Sequence, residues 1–257
     1  QRQQHRRPDR TAAAPAPAPG LMALNFRPAA ERFHTQLDWL DSWHTFSFAG
    51  HHDPGWMGFG PLRVINDDTI APGQGFGMHP HRDMEIITVM VEGELSHRDS
   101  MGHAEVLKAG EVQAMGAGTG LVHSEINQSE RPCRLLQIWI EPSSPGRPPT
   151  YAQQAFTLGP CWTPLVGPGA MAIHRPVRLW RAQPRAAETL TLPMADAQLG
   201  WLQVINGTGL GRVGPGREPI ALQRGDGLGF GGGFGGGDLE VFEAGPQGAD
   251  LLLFELG

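Results

Sequence analysis

Two pairs of metal-capable side chains, each with a spacing of two residues, constrain the fold of this chain more than any other feature. The first pair is His79 and His81, and the second is His123 and Glu125. On an extended strand successive side chains point to opposite faces, so the two members of each pair share one face. If the two strands lie side by side in a small barrel, three imidazoles and one carboxylate converge in its interior.

This set of side chains suits a divalent metal ion. Histidines with one carboxylate suit Fe(II), and they can also hold Mn, Ni, Cu, Zn or Co, because ligand type narrows the metal without fixing it. We therefore expect one divalent ion, with Fe(II) as the first choice. The alternative is that these histidines are ordinary packed residues, since the His-X-His spacing also arises by chance in a chain with 11 histidines. Four protein ligands leave coordination positions open, which favours catalysis or redox sensing over a closed structural site.

Short apolar runs separated by turns surround both pairs. Leu62–Ile70 and Glu85–Glu92 are rich in branched residues and predict strands, and residues 94–98 are expected to return antiparallel to the second of them. Together with 36 glycines and 23 prolines, these runs predict an all-β fold of short antiparallel strands, a barrel or jelly roll. His97 and His103 flank the next turn, where we expect them to lie in solvent.

Composition divides the chain into a tail and two halves. Residues 1–21 are rich in Ala, Pro and Arg and are expected to form a disordered tail. Four prolines within residues 142–149 predict a hinge. We therefore expect an N-terminal metal-binding domain at 22–147 and a C-terminal domain at 148–257.

The second half repeats part of the first. The segment around Gly93 is matched by the segment around Gly207, an offset of 114 residues, and Gly110 is matched by Gly225, an offset of 115. A duplicated antiparallel β-barrel explains this repeat, with the two barrels in tandem. The offset places no histidine at the four ligand positions, so we expect no metal in the second barrel. The residues at those positions are Pro193, Ala195, Asp238 and Glu240.

Charge and hydropathy exclude several classes of partner. A formal net charge of -6 and a pI near 6.0 argue against a nucleic-acid-binding surface, which requires clustered Lys and Arg. No apolar run approaches the roughly 18 residues that a membrane span needs. The two cysteines, Cys133 and Cys161, are too few for a disulfide framework. We expect a cytoplasmic monomer that acts on a small molecule, without nucleic acid or membrane as a partner.

Longer motifs around the two pairs resemble the pirin family of the cupin superfamily. They are Leu-Asp-Ser-Trp-His-Thr-Phe-Ser-Phe at 40–48, Leu-Arg-Val-Ile-Asn-Asp-Asp at 62–68, His-Pro-His-Arg-Asp-Met-Glu at 79–85 and Gly-Thr-Gly-Leu-Val-His-Ser-Glu at 118–125. The resemblance is closest to bacterial pirin-like proteins described as quercetin 2,3-dioxygenases. It implies a bicupin fold with His79, His81, His123 and Glu125 as metal ligands. It does not carry over Glu85, which the general cupin pattern would include.

The resemblance also implies an activity. A flavonol such as quercetin would be cleaved with O2, and Glu125 would accept the proton of the substrate's 3-hydroxyl group. Apolar residues near the ligands, Phe76, Met78 and Met115, would either hold its flat rings or pack in the core, and core packing is preferred for Met115. The alternative, implied by eukaryotic pirins, is a non-catalytic iron-binding redox sensor that regulates transcription or a metabolic enzyme through protein contacts. The acidic chain disfavours direct DNA contact but leaves a protein partner open.

Overall fold

A computed structural model describes residues 25–194, 198–214, 217–231 and 239–257, which form an all-β protein. The predicted tail at 1–21 lies outside these residues. Within them the chain forms nineteen strands and two short 3-10 helices, Ala29–Glu31 and Pro54–Trp56. None of the described helices has the length and hydrophobicity needed to cross a membrane.

The strands before the predicted hinge are β1 (Asn25–Arg27), β2 (Phe33–Gln36), β3 (Leu40–His44), β4 (Leu62–Ile70), β5 (Gly75–His81), β6 (Glu85–Glu92), β7 (Glu94–Asp99), β8 (Ala104–Lys108), β9 (Glu111–Gly116), β10 (Leu121–Ile126) and β11 (Cys133–Ile140). The strands after it are β12 (Thr150–Ala155), β13 (Thr163–Val166), β14 (Val177–Ala182), β15 (Thr189–Thr191), β16 (Leu199–Val213), β17 (Ile220–Gln223), β18 (Gly227–Phe230) and β19 (Leu239–Leu256).

These strands pair antiparallel in three sheets. The first barrel consists of a seven-stranded sheet, in the order β12-β9-β6-β11-β4-β3-β2, and a four-stranded sheet, in the order β5-β10-β7-β8. The second barrel is one sheet in the order β1-β18-β16-β19-β14-β13, with β15 added beside β19 and β17 beside β16. The prediction of an all-β bicupin with two antiparallel barrels in tandem is confirmed.

Strand pairing crosses the predicted domain boundary in both directions. β12, which follows the hinge, extends the first barrel's sheet by pairing with β9. β1, near the start of the described chain, pairs with β18 of the second barrel. The domain boundary between residues 147 and 148 stays a prediction. Each barrel includes one strand from the other half of the chain.

The repeat seen in the sequence is also present in the backbone. Gly93 and Gly207 have φ of 75° and 79°, and Gly110 and Gly225 have φ of 85° and 88°. The amide of Gly110 donates to the carbonyl of Met90, and the amide of Gly225 donates in the same way to Val204. Because only glycine adopts this left-handed region at little cost, the matched turns explain why the repeat is most visible at these four glycines.

The interiors of the two barrels differ in polarity. A row of polar side chains crosses five adjacent strands of the first barrel's large sheet, each opposite the next in register. The row consists of Gln113, Thr88, Gln137, Asn66 and His44. At the matching positions the second barrel has an apolar row, which consists of Leu228, Leu202, Leu253 and Trp180. The second barrel is therefore filled by a hydrophobic core, whereas the first presents hydrogen-bonding groups to its interior.

The two barrels share a hydrophobic core where their large sheets face each other. Leu62 and Ile138 from the first barrel belong to the same cluster of buried residues as Trp201 and Phe254 from the second. Phe46 packs against Trp201, with ring centroids 5.0 Å apart. The two repeats are thus joined by packing as well as by exchanged strands.

Two buried ion pairs lie beside this shared core. The strand that carries the arginine in one repeat corresponds to the strand that carries the aspartate in the other. In the first barrel Arg134 binds Asp67 through two hydrogen bonds of 2.7 and 2.9 Å. In the second, Arg181 binds Asp250 through two of 2.9 and 2.7 Å. Each arginine also donates to a backbone carbonyl of the other barrel, Arg134 to Ile205 and Arg181 to Met90.

Candidate metal centre

The four predicted ligands lie on two neighbouring strands of the small sheet. β5 carries His79 and His81, and β10 carries His123 and Glu125. His79 lies directly opposite His123, while a register shift in the pairing places Glu125 opposite Phe76. All four side chains face into the first barrel. This agrees with the expectation that residues two apart on a strand share one face.

Three of the four form a tight cluster. The ring centroids are 4.8 Å apart for His79 and His81, 4.4 Å for His79 and His123, and 4.9 Å for His81 and His123. One ring nitrogen from each residue lies within 4.8 Å of the other two. Three imidazole nitrogens this close together, with a carboxylate nearby, are suited to a divalent transition metal.

The hydrogen bonding of these imidazoles leaves nitrogens available for a metal. His79 bonds the carbonyl of Gly77 through Nδ1 at 2.7 Å, so Nδ1 carries the proton and the lone pair lies on Nε2. His123 is fully buried, and neither of its ring nitrogens has a hydrogen-bond partner among the described residues. Buried polar atoms are rarely left unpaired, and a bound cation would satisfy one of these nitrogens.

Burial keeps His81 and His123 uncharged at neutral pH. Burial and the neighbouring imidazoles of His123 and His79 lower the pKa of His81 to about 4. Burial, with His79 next to it, lowers the pKa of His123 to about 3. Since a histidine must be neutral to bind a metal, both of these residues are in the ligating form at pH 7.

Glu125 lies beside this triad and joins a second group. Its side chain is buried, and it accepts hydrogen bonds from Gln137 at 2.8 Å and from Thr88 at 3.3 Å, both in the polar row. Its carboxylate lies within 4.8 Å of ring nitrogens of His97 and His123. The structure thus groups Glu125 with His123 and not with all three histidines, so the four-ligand shell stays a prediction.

His97 corrects one expectation. We expected it in solvent beside a turn, yet it is 1% exposed and lies directly opposite Glu125 across β7 and β10. Its Nε2 bonds Asp99 at 3.2 Å, and its ring stacks on Tyr151 with centroids 4.9 Å apart. His103 is partly exposed, bonds the same Asp99 and also stacks on Tyr151, with centroids 4.3 Å apart. The alternation of β7, in which His97 follows buried Leu95 by two residues, is the signal that could have identified it.

A cavity of about 280 Å³ adjoins the cluster. The site residues that line it are His79, His81 and Glu125, with Gln137 of the polar row beside them. Its apolar lining consists of Leu40, Phe48, Ala49, Phe76 and Trp139. Of the two residues expected to hold a substrate, Phe76 therefore lines the cavity, whereas Met78 is 60% exposed on the outer face of β5.

The wall formed by β2, β3 and β4 is polar. Thr35 bonds both His44 and His51, at 2.9 and 3.0 Å, and His44 bonds Asn66 at 2.8 Å. Ser42 donates a very short hydrogen bond to Asp68. Asp68 is almost fully buried, and burial raises its pKa to about 7. The motif at 40–48 thus supplies polar groups to the cavity as well as aromatic ones.

A larger pocket, of about 830 Å³, lies beside β16, β17 and β19 of the second barrel. It is lined mainly by small and apolar residues, including Leu210 and Leu222, and none of the described histidines lines it. The metal-capable groups found among the described residues both lie in the first barrel. Of the four matching positions in the second barrel, Pro193 and exposed Glu240 are described, while Ala195 and Asp238 lie outside the described residues.

Comparisons with known proteins place the chain in one family. A family model described as Pirin matches residues 26–140. A quercetin 2,3-dioxygenase of Escherichia coli is 46% identical over 72% of this chain and 82% of the relative, and a pirin-like protein of Caulobacter vibrioides is 40% identical over 64% and 74%. The crystal structure of the bacterial pirin YhhW from Escherichia coli in complex with nickel(II) superimposes with a TM-score of 0.81 at 39% identity, covering 91% of this chain and 98% of that one. This chain therefore belongs to the pirin family.

Proposed function

We propose that this protein is a metal-dependent dioxygenase that cleaves flavonols such as quercetin with O2. The observation that carries the proposal is the cluster of three imidazoles, His79, His81 and His123, beside an aromatic-lined cavity. Relatives named quercetin 2,3-dioxygenase and the nickel complex of a bacterial pirin support it. We propose Fe(II) as the resident ion, and a bound ion of this kind would supply coordination of the substrate oxygens and electron transfer to O2.

The residues of this chain have separate roles in the proposed reaction. His79, His81 and His123 hold the ion, with Glu125 as the proposed fourth ligand. Glu125 accepts the proton of the substrate's 3-hydroxyl, since a positioned carboxylate is an ordinary general base. Hydrogen bonds from Gln137 and Thr88 hold this carboxylate in the interior.

The cavity lining supports a flat aromatic substrate. Phe48 and Trp139 meet edge to face with centroids 5.4 Å apart, and Trp139 in turn contacts His81 at 5.0 Å. Phe76 lines the cavity near His79, at 6.4 Å between centroids. These rings offer apolar faces to a planar ligand beside the cluster.

A flavonol-bleaching assay tests this proposal. Protein loaded with Fe(II) without oxygen should bleach the quercetin absorbance once O2 is admitted. We expect His81→Ala to lose both the metal and the activity, and Glu125→Gln to lower turnover at least about 100-fold, the contribution typical of a general base. His52→Ala, which changes an exposed histidine outside the site, should retain full activity. Loaded wild-type protein that leaves quercetin unchanged would contradict the proposal.

A regulatory, redox-sensing pirin is the second candidate. The observation that favours it is apolar surface on the strands that carry the ligands, since Met78 of β5 is 60% exposed and Val122 of β10 is 37% exposed. A protein partner bound there would contact the outer face of the metal-bearing sheet. If iron-dependent capture of one partner is lost in Met78→Asp while quercetin remains unchanged, the regulatory function is favoured. Cytoplasmic location and a monomeric state remain predictions.

A further inference from the structure

The polar wall of the cavity contains one carboxylate with unused hydrogen-bonding capacity. Thr35 bonds His44, and His44 in turn bonds the side-chain oxygen of Asn66. Asp68 also lines the cavity, and its Oδ1 accepts the hydrogen bond from Ser42. Within the described residues, no hydrogen-bond donor contacts its Oδ2. Because Asp68 lines the cavity, this oxygen is available to accept a hydrogen bond from a donor on a ligand.

The repeat provides an internal comparison for this position. Asp68 lies opposite Leu135 in the first barrel, and Ala182 lies opposite Leu251 at the matching place in the second. Ala182 is fully buried in a hydrophobic core. A small apolar residue therefore satisfies the fold at this position. Compared with Ala182, Asp68 adds a carboxylate, and it does so in the barrel that contains the histidine cluster. This difference argues that the carboxylate has a role in the cavity.

The size of the cavity limits how a ligand can lie in it. At about 280 Å³ it is close to the lower end of the roughly 300–1,000 Å³ typical of ligand sites. A planar ligand that fills this cavity would therefore contact Phe76, Trp139 and the polar wall together. With one edge at the histidine cluster, another part of its rim contacts the wall that contains Ser42 and Asp68.

We propose that Asp68 is a specificity-determining residue that selects aromatic substrates with a phenolic hydroxyl group remote from the oxygens bound at the histidine cluster. That hydroxyl donates to Oδ2 of Asp68, while Ser42 occupies Oδ1 and fixes the orientation of the carboxylate. This inference rests on the proposed function for the orientation of the substrate. It adds that the protein prefers polyhydroxylated flavonols over flavonols that have no hydroxyl group remote from the 3-hydroxyl.

The test compares two probes on redox-silent protein. Dissociation constants of quercetin and of 3-hydroxyflavone, which has no hydroxyl besides the 3-hydroxyl, are measured by fluorescence titration of the Ni(II)-loaded protein without oxygen. A pH of about 8 keeps Asp68 ionised. Wild type should prefer quercetin by at least about tenfold, as expected for a hydrogen bond to a charged group. In Asp68→Asn this preference should fall below about threefold, with 3-hydroxyflavone binding and nickel content unchanged.

Two further variants keep the test decisive. Asp41→Asn, which alters a carboxylate on the same strand as Ser42 but outside the cavity, should keep the wild-type preference. If Asp68→Asn does not fold, Ser42→Ala replaces it and should weaken quercetin binding selectively. The inference is overturned if the preference survives in the folded variant, if both probes lose affinity equally, or if neither probe binds wild type. If the preference for quercetin depends on Asp68 but the Fe(II) protein does not turn quercetin over, the proposed function is overturned and the inference about Asp68 stands.

Discussion

His97 links the candidate metal centre to an anchored carboxylate. Its Nε2 bonds Asp99, whose Oδ1 accepts from the backbone amides of Met101 and His103. Its Nδ1 is buried without a hydrogen-bond partner in the described part of the chain, in the group formed with His123 and Glu125. A carboxylate that orients a histidine next to metal ligands is the usual outer support of a metal site.

Loss of His97 is therefore expected to weaken metal binding. His97→Ala should raise the dissociation constant for Ni(II), measured by calorimetric titration, by about 10- to 100-fold, the range found for residues that support metal ligands. His103→Ala is the matched control, because His103 bonds the same Asp99 from the partly exposed side. We expect the control to change the constant by less than about threefold. Unchanged nickel affinity in His97→Ala would exclude this supporting role.

Asp68 should make stability depend on pH. Burial raises its pKa from 3.8 to about 7, so the folded protein binds a proton between these values that the unfolded chain releases. The bound proton stabilises the folded state fully below about pH 4, and this stabilisation is lost as the pH rises through 7. From pH 5 to pH 8, wild type without metal should lose about 2.5 kcal/mol more than Asp68→Asn in urea unfolding, since about two pH units of this range lie below the raised pKa and each corresponds to about 1.4 kcal/mol. Parallel pH profiles of the two proteins would contradict this assignment.

The side chains of the site were predictable to different degrees. The spacing of two identified His79, His81 and His123 because a strand repeats with period two, and the structure brings these three together. The proximity of His97 to Glu125 depends on the pairing of β7 with β10, which the local sequence of neither strand specifies. The polar row was missed for the same reason, since it exists only once five strands are in register.

At the level of strands and turns, the sequence was most informative where glycine ends an apolar run. Leu62–Ile70 and Glu85–Glu92 were predicted with the bounds that the structure has. The exchange of β1 and β12 between barrels could not be predicted, because these strands carry no pattern that distinguishes one sheet edge from another. Which edge they join is decided by the packing of whole sheets.

The buried ion pair between Arg181 and Asp250 tests how much such pairs contribute to stability. Arg181→Met leaves the carboxylate of Asp250 buried without a charge partner and removes the hydrogen bond to Met90 in the other barrel. We expect a loss of about 3–5 kcal/mol in the free energy of unfolding. The double variant Arg181→Met with Asp250→Leu should recover most of this loss, because no uncompensated charge remains.

An exposed pair serves as the control for this test. Arg212 and Glu243 lie 2.6 Å apart with side chains 52% and 37% exposed, so Arg212→Met should cost no more than about 1 kcal/mol. Urea unfolding followed by tryptophan fluorescence measures all three variants. Equal losses for Arg181→Met and Arg212→Met would show that burial does not govern the energy of the pair at Asp250.

For the whole molecule, the shared core and the exchanged strands argue that the two barrels fold as one unit. Residues of both barrels form a single buried cluster. Removing the second barrel would expose Leu62 and Ile138 to water, and removing the first would expose Trp201 and Phe254. Burial of such side chains contributes about 1.5–3 kcal/mol each. We therefore expect the metal-free protein to unfold in one cooperative transition by calorimetry, despite its duplicated architecture.

Fragments test this expectation directly. A chain of residues 22–147 lacks β12 and leaves the edge of β9 unpaired, whereas 22–158 retains that strand. Because an unpaired edge favours association with other chains, the shorter fragment should aggregate more readily than the longer one. Neither should show a sharp thermal transition alone, since both lack the residues of the second barrel that complete the shared core. A fragment 22–147 that unfolds cooperatively and binds nickel as the full chain does would show that the first barrel is an independent domain.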